Sequence, residues 1–237
     1  MIHHRYLPYL AIIAEFSNDG KIVSHFSLAL ENPLQYPERM DTILILYITL
    51  ALLHLSLRAE GLNRLGSLVK VLLMPTLMVY VLKNGAQPFL LISLSFATLG
   101  DYFLTDSSRK PYFILGMVSF ALAHLLYSAH LLLRPLQWHR LMIGALLMLI
   151  PMTYLLLLLK TSPVKLRYAL YGLNLFIMTA LCFGSGSSLA SLGALAFIIS
   201  DGMIGMEALH RRRFSVITEM AVYILAQLLL VLGFVNL

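Results

Sequence analysis

From residue 41 onward the chain is a succession of long apolar runs separated by links of a few polar residues. No water reaches the middle of a bilayer to satisfy backbone N–H and C=O groups, so such a chain crosses a membrane as helices or as a closed barrel. A helix needs about 20 apolar residues to cross a hydrocarbon core of about 30 Å, whereas barrel strands alternate apolar and polar residues over about 10. The runs here are continuous, which makes the chain all-α, a polytopic transmembrane helix bundle. Composition agrees, with 59% hydrophobic and 12% charged residues and a mean hydropathy of +0.84, against about 45–50% apolar and 25% charged in ordinary soluble domains.

About eight spans are expected in a single domain over residues 41–237, near 41–58, 67–83, 88–105, 111–133, 138–159, 165–183, 188–208 and 214–235. The links hold helix breakers: Gly61 and Asn63, Asn84 with Gly85 and Pro88, Ser107 to Pro111, Arg134 with Pro135, Thr161 to Pro163, and Gly184 to Ser188. Links this short favour up-and-down neighbours. Pro75 and Pro151 fall inside spans, where each removes a hydrogen bond and should kink its helix. Residues 1–40 differ from the rest. Leu7 to Phe16 is apolar but too short to span, carries Pro8, lacks a small-residue cleavage site and runs into the polar stretch Ser17 to Lys21. It reads as a non-spanning N-terminal extension, lying on a surface or folded back.

The formal charge is +6. The basic residues sit in links and form no stripe interleaved with aromatic residues, so they read as topology determinants and not as a nucleic-acid interface. The links after spans 1, 3, 5 and 7 carry Arg58, Arg64, Arg109, Lys110, Lys160, Lys165, Arg167, Arg211, Arg212 and Arg213, whereas those after spans 2, 4 and 6 carry Lys83, Arg134 and Arg140. Ten against three puts the first set in the cytoplasm and both termini on the far side of the membrane, which would be the inner or plasma membrane if the chain is bacterial. The lone Cys182 lies in an apolar run, so no intrachain disulfide can form.

Several spans carry polar residues that lipid does not tolerate without a reason. An isolated charge near the bilayer centre costs about 2.5–3.5 kcal/mol on insertion scales, so intramembrane ionisable groups mark a partner or a task. Asp101 occurs in LGDYFL and Asp201 in FIISDGM, Lys70 lies in span 2 and Glu219 in span 8. At 1.5 Å per residue all four fall in the cytoplasmic half of their spans. His124 and Tyr127 lie deeper, at i and i+3 on one face of span 4, as do Tyr223 and Gln227 at i and i+4 of span 8. Two carboxyls in one apolar setting can divide acid and base work, one giving a proton and the other accepting one. Lys70 either snorkels to the nearby interface or holds a phosphate or an aspartate. His124 and Tyr127 read as a hydrogen-bonding pair lining a cavity; the spacing of the histidines supports no metal site. In span 7 the small residues Ser191, Ala194, Ala196, Ser200, Gly202 and Gly205 read as places where backbones approach closely.

Taken in order, LGDYFL at 99–104, LGMVSFALAHLLY at 115–127, GALAFIISDGMIG at 193–205 and YILAQLLL at 223–230 resemble the YhhN-like lysoplasmalogenase family of integral membrane proteins. The resemblance covers residues 41–235. In two places the chain departs from the family pattern: Lys70 is followed by Val71, with Pro75 further on, and Ala221 and Val222 stand before Tyr223. The resemblance implies a hydrolase that cleaves the vinyl ether bond of a lysophospholipid, a lysoplasmalogen, to a fatty aldehyde and a glycerophospho-head group, with no cofactor. It implies that Asp101 and Asp201 are the catalytic pair, with Lys70 toward the phosphate. His124, Tyr127, Glu219, Tyr223 and Gln227 would shape the pocket. The rival expectation is a proton-coupled transporter of a lipid or small molecule, for which intramembrane Asp, His and Lys are ordinary. Against it, the two halves show no internal repeat and no matching pair of glycine-broken spans.

Overall fold

The structure, a computed structural model, describes residues 41–106, 109–160, 165–209, 212 and 214–237. The expected extension over residues 1–40, Ser107, the Thr161 to Pro163 breaker and most of the run His210 to Arg213 lie outside the described residues. Among the described residues all regular structure is helical: α1 (Thr42–Ala59), α2 (Asn63–Lys83), α3 (Pro88–Leu104), α4 (Lys110–Leu132), α5 (Trp138–Leu159), α6 (Lys165–Gly184), α7 (Ser188–Ala208) and α8 (Val216–Val235). Seven of the helices are long and apolar enough to cross a membrane. The remaining one, α3, has 17 residues, the lower end of the spanning range, and packs between α2 and α4. The chain is the polytopic helix bundle that its apolar runs predict.

Helix ends fall within two residues of expectation except at α2, which begins at Asn63 and not at 67. The cause is local. Gly61 adopts φ +75°, and the Leu62 N–H donates to the Leu57 carbonyl at 2.8 Å. A single left-handed glycine thus satisfies the orphan carbonyls of α1, and Asn63 enters the next helix instead of extending the link. Helices α2 and α5 continue through Pro75 and Pro151.

The bundle is built from neighbours in sequence, with α2 on α3, α3 on α4, α5 on α6, α6 on α7 and α7 on α8, while α4 against α6 and α8 against α2 close it. Helix α1 joins through two polar side chains. The Tyr47 hydroxyl donates to the Ile224 carbonyl of α8 at 2.8 Å, and His54 Nδ1 donates to the Gly66 carbonyl of α2 at 2.8 Å. Tyr47, Ala51 and His54 form the buried face of α1, spaced as one helix stripe, whereas Ile45, Leu46, Leu52 and Leu53 face outward.

Close backbone contact is real in α7 but is not where it was expected. A Cβ on Gly193 would lie 2.6 Å from Leu230 N and 2.9 Å from the Ala226 carbonyl of α8, whereas a Cβ on Gly202 or Gly205 would meet nothing within 4 Å. The expectation that Gly202 and Gly205 serve helix packing is therefore corrected: no neighbouring backbone approaches them. Gly193→Ala is expected to push α7 off α8 and to cost about 1–3 kcal/mol, read as a lower midpoint of thermal unfolding in detergent. Gly202→Ala should unfold at or above the wild-type midpoint, because alanine gains helix propensity there without a clash.

Candidate active site

A line of polar side chains crosses the core from α2 to α4. Lys70 is 8% exposed. Its Nζ turns inward, 3.1 Å from Asp101 Oδ1 and 5.2 Å from the centroid of the Tyr223 ring. The Tyr223 hydroxyl donates to Asp101 Oδ2 at 2.8 Å and accepts from Gln227 Nε2 at 3.5 Å, while Gln227 Oε1 accepts from the Tyr127 hydroxyl at 3.3 Å. Local sequence explains the placement. Tyr223 and Gln227 are one turn apart on one face of α8. Gly100, whose Cβ would sit 2.7 Å from the Phe120 ring, lets α3 approach α4 and carries Asp101 into the interior with no exposed surface. Of the two readings of Lys70, the inward one is observed: the Lys70 charge and the Tyr223 hydroxyl offset part of the cost of burying the Asp101 carboxylate.

Asp201 stands apart from this line. It is half-buried on α7, and its Oδ2 accepts a hydrogen bond from the Tyr171 hydroxyl of α6. Its partner is thus a neutral hydroxyl, whereas Asp101 has a cation. His124 lies between the two groups in an aromatic setting, its ring 4.7 Å from Phe197, 5.8 Å from Tyr171 and 6.5 Å from Phe120. Neither ring nitrogen of His124 has a hydrogen-bond partner among the described residues. The expectation of a hydrogen-bonding His124 and Tyr127 pair is corrected here. They share a buried face of α4, but His124 points to rings of α6 and α7 while Tyr127 gives its proton to Gln227 of α8.

Two hollows adjoin these groups. One, of about 750 Å³, opens where the ends of α1, α2, α3, α4, α6, α7 and α8 meet; its charged lining is Arg58, Lys70, Lys110, Arg167, Glu207 and Glu219. Glu219 thereby faces the same space as Lys70, and Ser200 of α7 donates to its backbone carbonyl at 3.4 Å. The other, of about 150 Å³, is an apolar groove between α5, α6 and α7 with Asp201 in its wall, and Tyr168 lines both. The polar side chains that sequence reasoning missed include Tyr171 and Tyr47, while Arg58, Lys110 and Arg167, which it read only as link residues, line the cavity. A signal existed for the first: Arg167, Tyr168, Tyr171 and Asn174 recur at helical spacing along α6, and Asn174 Nδ2 donates to the Ala121 carbonyl of α4 at 2.8 Å. On α1, Tyr47, His54 and Arg58 likewise share one stripe.

Fold and site together define a multi-pass α-helical membrane protein with an embedded polar centre: two carboxyls, one compensated by lysine, beneath a charged cavity at one end of the bundle. Residues 65–234, from the first turn of α2 to the end of α8, match the YhhN family, and the chain belongs to it. Among curated proteins it is similar to the lysoplasmalogenase TMEM86B of Rattus norvegicus, with 37% identity over 124 residues, 51% of this chain and 52% of that protein. The matched stretch thus spans about half the length of that relative. No solved structure matches the chain.

Proposed function

We propose that this protein hydrolyses the vinyl ether bond of a lysoplasmalogen, releasing a fatty aldehyde and a glycerophospho-head group. The observation that carries the reading is the division between the two carboxyls. Asp101 is charge-compensated by Lys70 and Tyr223 behind the cavity floor, while Asp201, whose partner is a tyrosine hydroxyl, faces an apolar groove. The name of the rat relative points to the same substrate.

In this mechanism Asp201 gives its proton to the vinyl carbon remote from oxygen, and the double-bond electrons form the new C–H bond. The resulting oxocarbenium ion takes up water, one proton of which returns to Asp201. The hemiacetal then collapses: its C–O bond to glycerol breaks, the hydroxyl proton passes to the leaving oxygen, and the aldehyde carbonyl forms. One water is consumed and nothing is oxidised. This is the acid and base logic of glycoside hydrolysis, which also passes through an oxocarbenium-like state. Asp101 acts through Lys70 and Tyr223, whose positions it holds beside the cavity. The head group occupies the 750 Å³ cavity, with its phosphate among Arg58, Lys110 and Arg167. The excess of Lys and Arg in its links supports placing that end in the cytoplasm, with both termini on the other side.

The test is aldehyde release by the purified protein in detergent. A lysoplasmalogen should yield aldehyde, and its saturated alkyl analogue should stay intact because it has no double bond to protonate. The rate should fall as pH rises, since the donor must carry its proton at the start of each turnover. No release from a folded protein would overturn the reading, and a rate that climbs with pH would overturn the donor assignment.

A further inference from the structure

Gly202 and Gly205 serve no close helix contact: a Cβ at either would meet nothing within 4 Å, and both line the groove between α5, α6 and α7. A membrane helix that merely faced lipid would have no need of glycine there, since larger apolar residues are stable in lipid and better helix formers. The remaining wall is apolar, with Leu155 from α5, Leu175 and Phe176 from α6 and Ile198 from α7, apart from Asp201 and the tyrosine hydroxyls beside it.

We infer that this groove is the binding channel for the single hydrocarbon chain of the substrate, and that its inner end sets the chain length accepted; the inference deepens the hydrolase reading on which it rests. Tyr168 lines both the groove and the charged cavity, so the two lie side by side along α6. Arg167 lines the cavity and Tyr171, which bonds Asp201, lies one turn further along α6. Four residues of helix rise about 6 Å, a short step of glycerol backbone. A phosphate held at Arg167 therefore brings the first chain carbons to Asp201. Beyond Asp201 the chain continues along Leu175 and Phe176 toward Ile198, one turn deeper on α7 and on the same face as Gly202. A single groove of about 150 Å³ suits one chain, so a phospholipid with two chains is expected to compete poorly.

The experiment uses an alkyl lysophosphoethanolamine with a diazirine at mid-chain, irradiated with the full-length protein in detergent, and maps the labelled peptides by mass spectrometry. Label is expected on residues 151–158, 171–176 and 198–206, and excess lysophospholipid should displace it while excess diacyl phospholipid does not. Gly202→Leu, whose Cβ meets nothing within 4 Å and whose longer side chain enters the groove that Gly202 lines, should lower that label about tenfold, a modest fraction of what misplacing a bound group can cost. Ile198→Trp should lower the ratio of long-chain to short-chain hydrolysis by about tenfold on the same grounds. Label spread evenly over the outward faces of α1 and α5, displacement by diacyl lipid, or wild-type labelling of Gly202→Leu would each overturn the channel. Labelling needs no turnover. If aldehyde release fails while groove labelling holds, the hydrolase reading falls and the channel stands; if release holds while labelling fails, the channel falls alone.

Discussion

Replacing Asp201 by Asn is expected to lower aldehyde release by about 10²- to 10⁴-fold, the usual contribution of a positioned general acid, with the protein still folded and extractable. Asn has the same volume and its amide oxygen still accepts the Tyr171 hydroxyl, so the α6–α7 contact that places residue 201 survives. What disappears is the transferable proton. Tyr171→Phe removes that hydrogen bond and leaves the carboxyl, so it should cost much less, about 1 kcal/mol of transition-state stabilisation or roughly fivefold. Initial rates with a lysoplasmalogen, measured beside the thermal unfolding midpoint of each variant, separate the two effects. Turnover of Asp201→Asn near the wild-type rate would remove Asp201 from the chemistry.

Lys70→Met is expected to reduce both stability and activity, because it leaves Asp101 as an uncompensated charge with no exposed surface. Removing one partner of a buried ion pair typically costs about 3–5 kcal/mol, whereas replacing both by neutral groups is often neutral. The double variant Lys70→Met with Asp101→Asn should therefore unfold near the wild-type midpoint. It should nonetheless stay impaired in hydrolysis, since Tyr223 then lacks the carboxylate it donates to at 2.8 Å and the cavity floor lacks its cation. A double-mutant cycle on the unfolding midpoints reads the coupling directly. A double variant as unstable as Lys70→Met alone would mean that the cost of that substitution is not the stranded Asp101 charge.

The helices were legible because each is a local statement: an apolar run bounded by Gly, Pro or Asn. Even the departure at α2 is local, since Gly61 in a left-handed conformation closes α1 and frees Asn63 to begin the next helix. The polar residues were legible for a related reason, as Asp101, Asp201, Lys70 and His124 stand out against lipid-compatible neighbours. Tyr171, Arg58 and Tyr47 did not stand out, because tyrosine and arginine near helix ends are ordinary interfacial residues. Their part depends on what faces them across the bundle.

By itself, then, the sequence determined the class of fold, the approximate extent of the helices and most of the polar groups that stand within them, because hydrophobicity and helix breakers act within a few residues. Only the tertiary structure decided which groups meet. It joined Lys70 to Asp101 and Tyr127 through Gln227 to Tyr223, and it separated His124 from Tyr127. It also divided the glycines of α7, with Gly193 against the backbone of α8 and Gly202 and Gly205 against open space. These pairings depend on which faces of separate helices are turned to each other, and helix periodicity leaves that rotation open until side-chain packing chooses it.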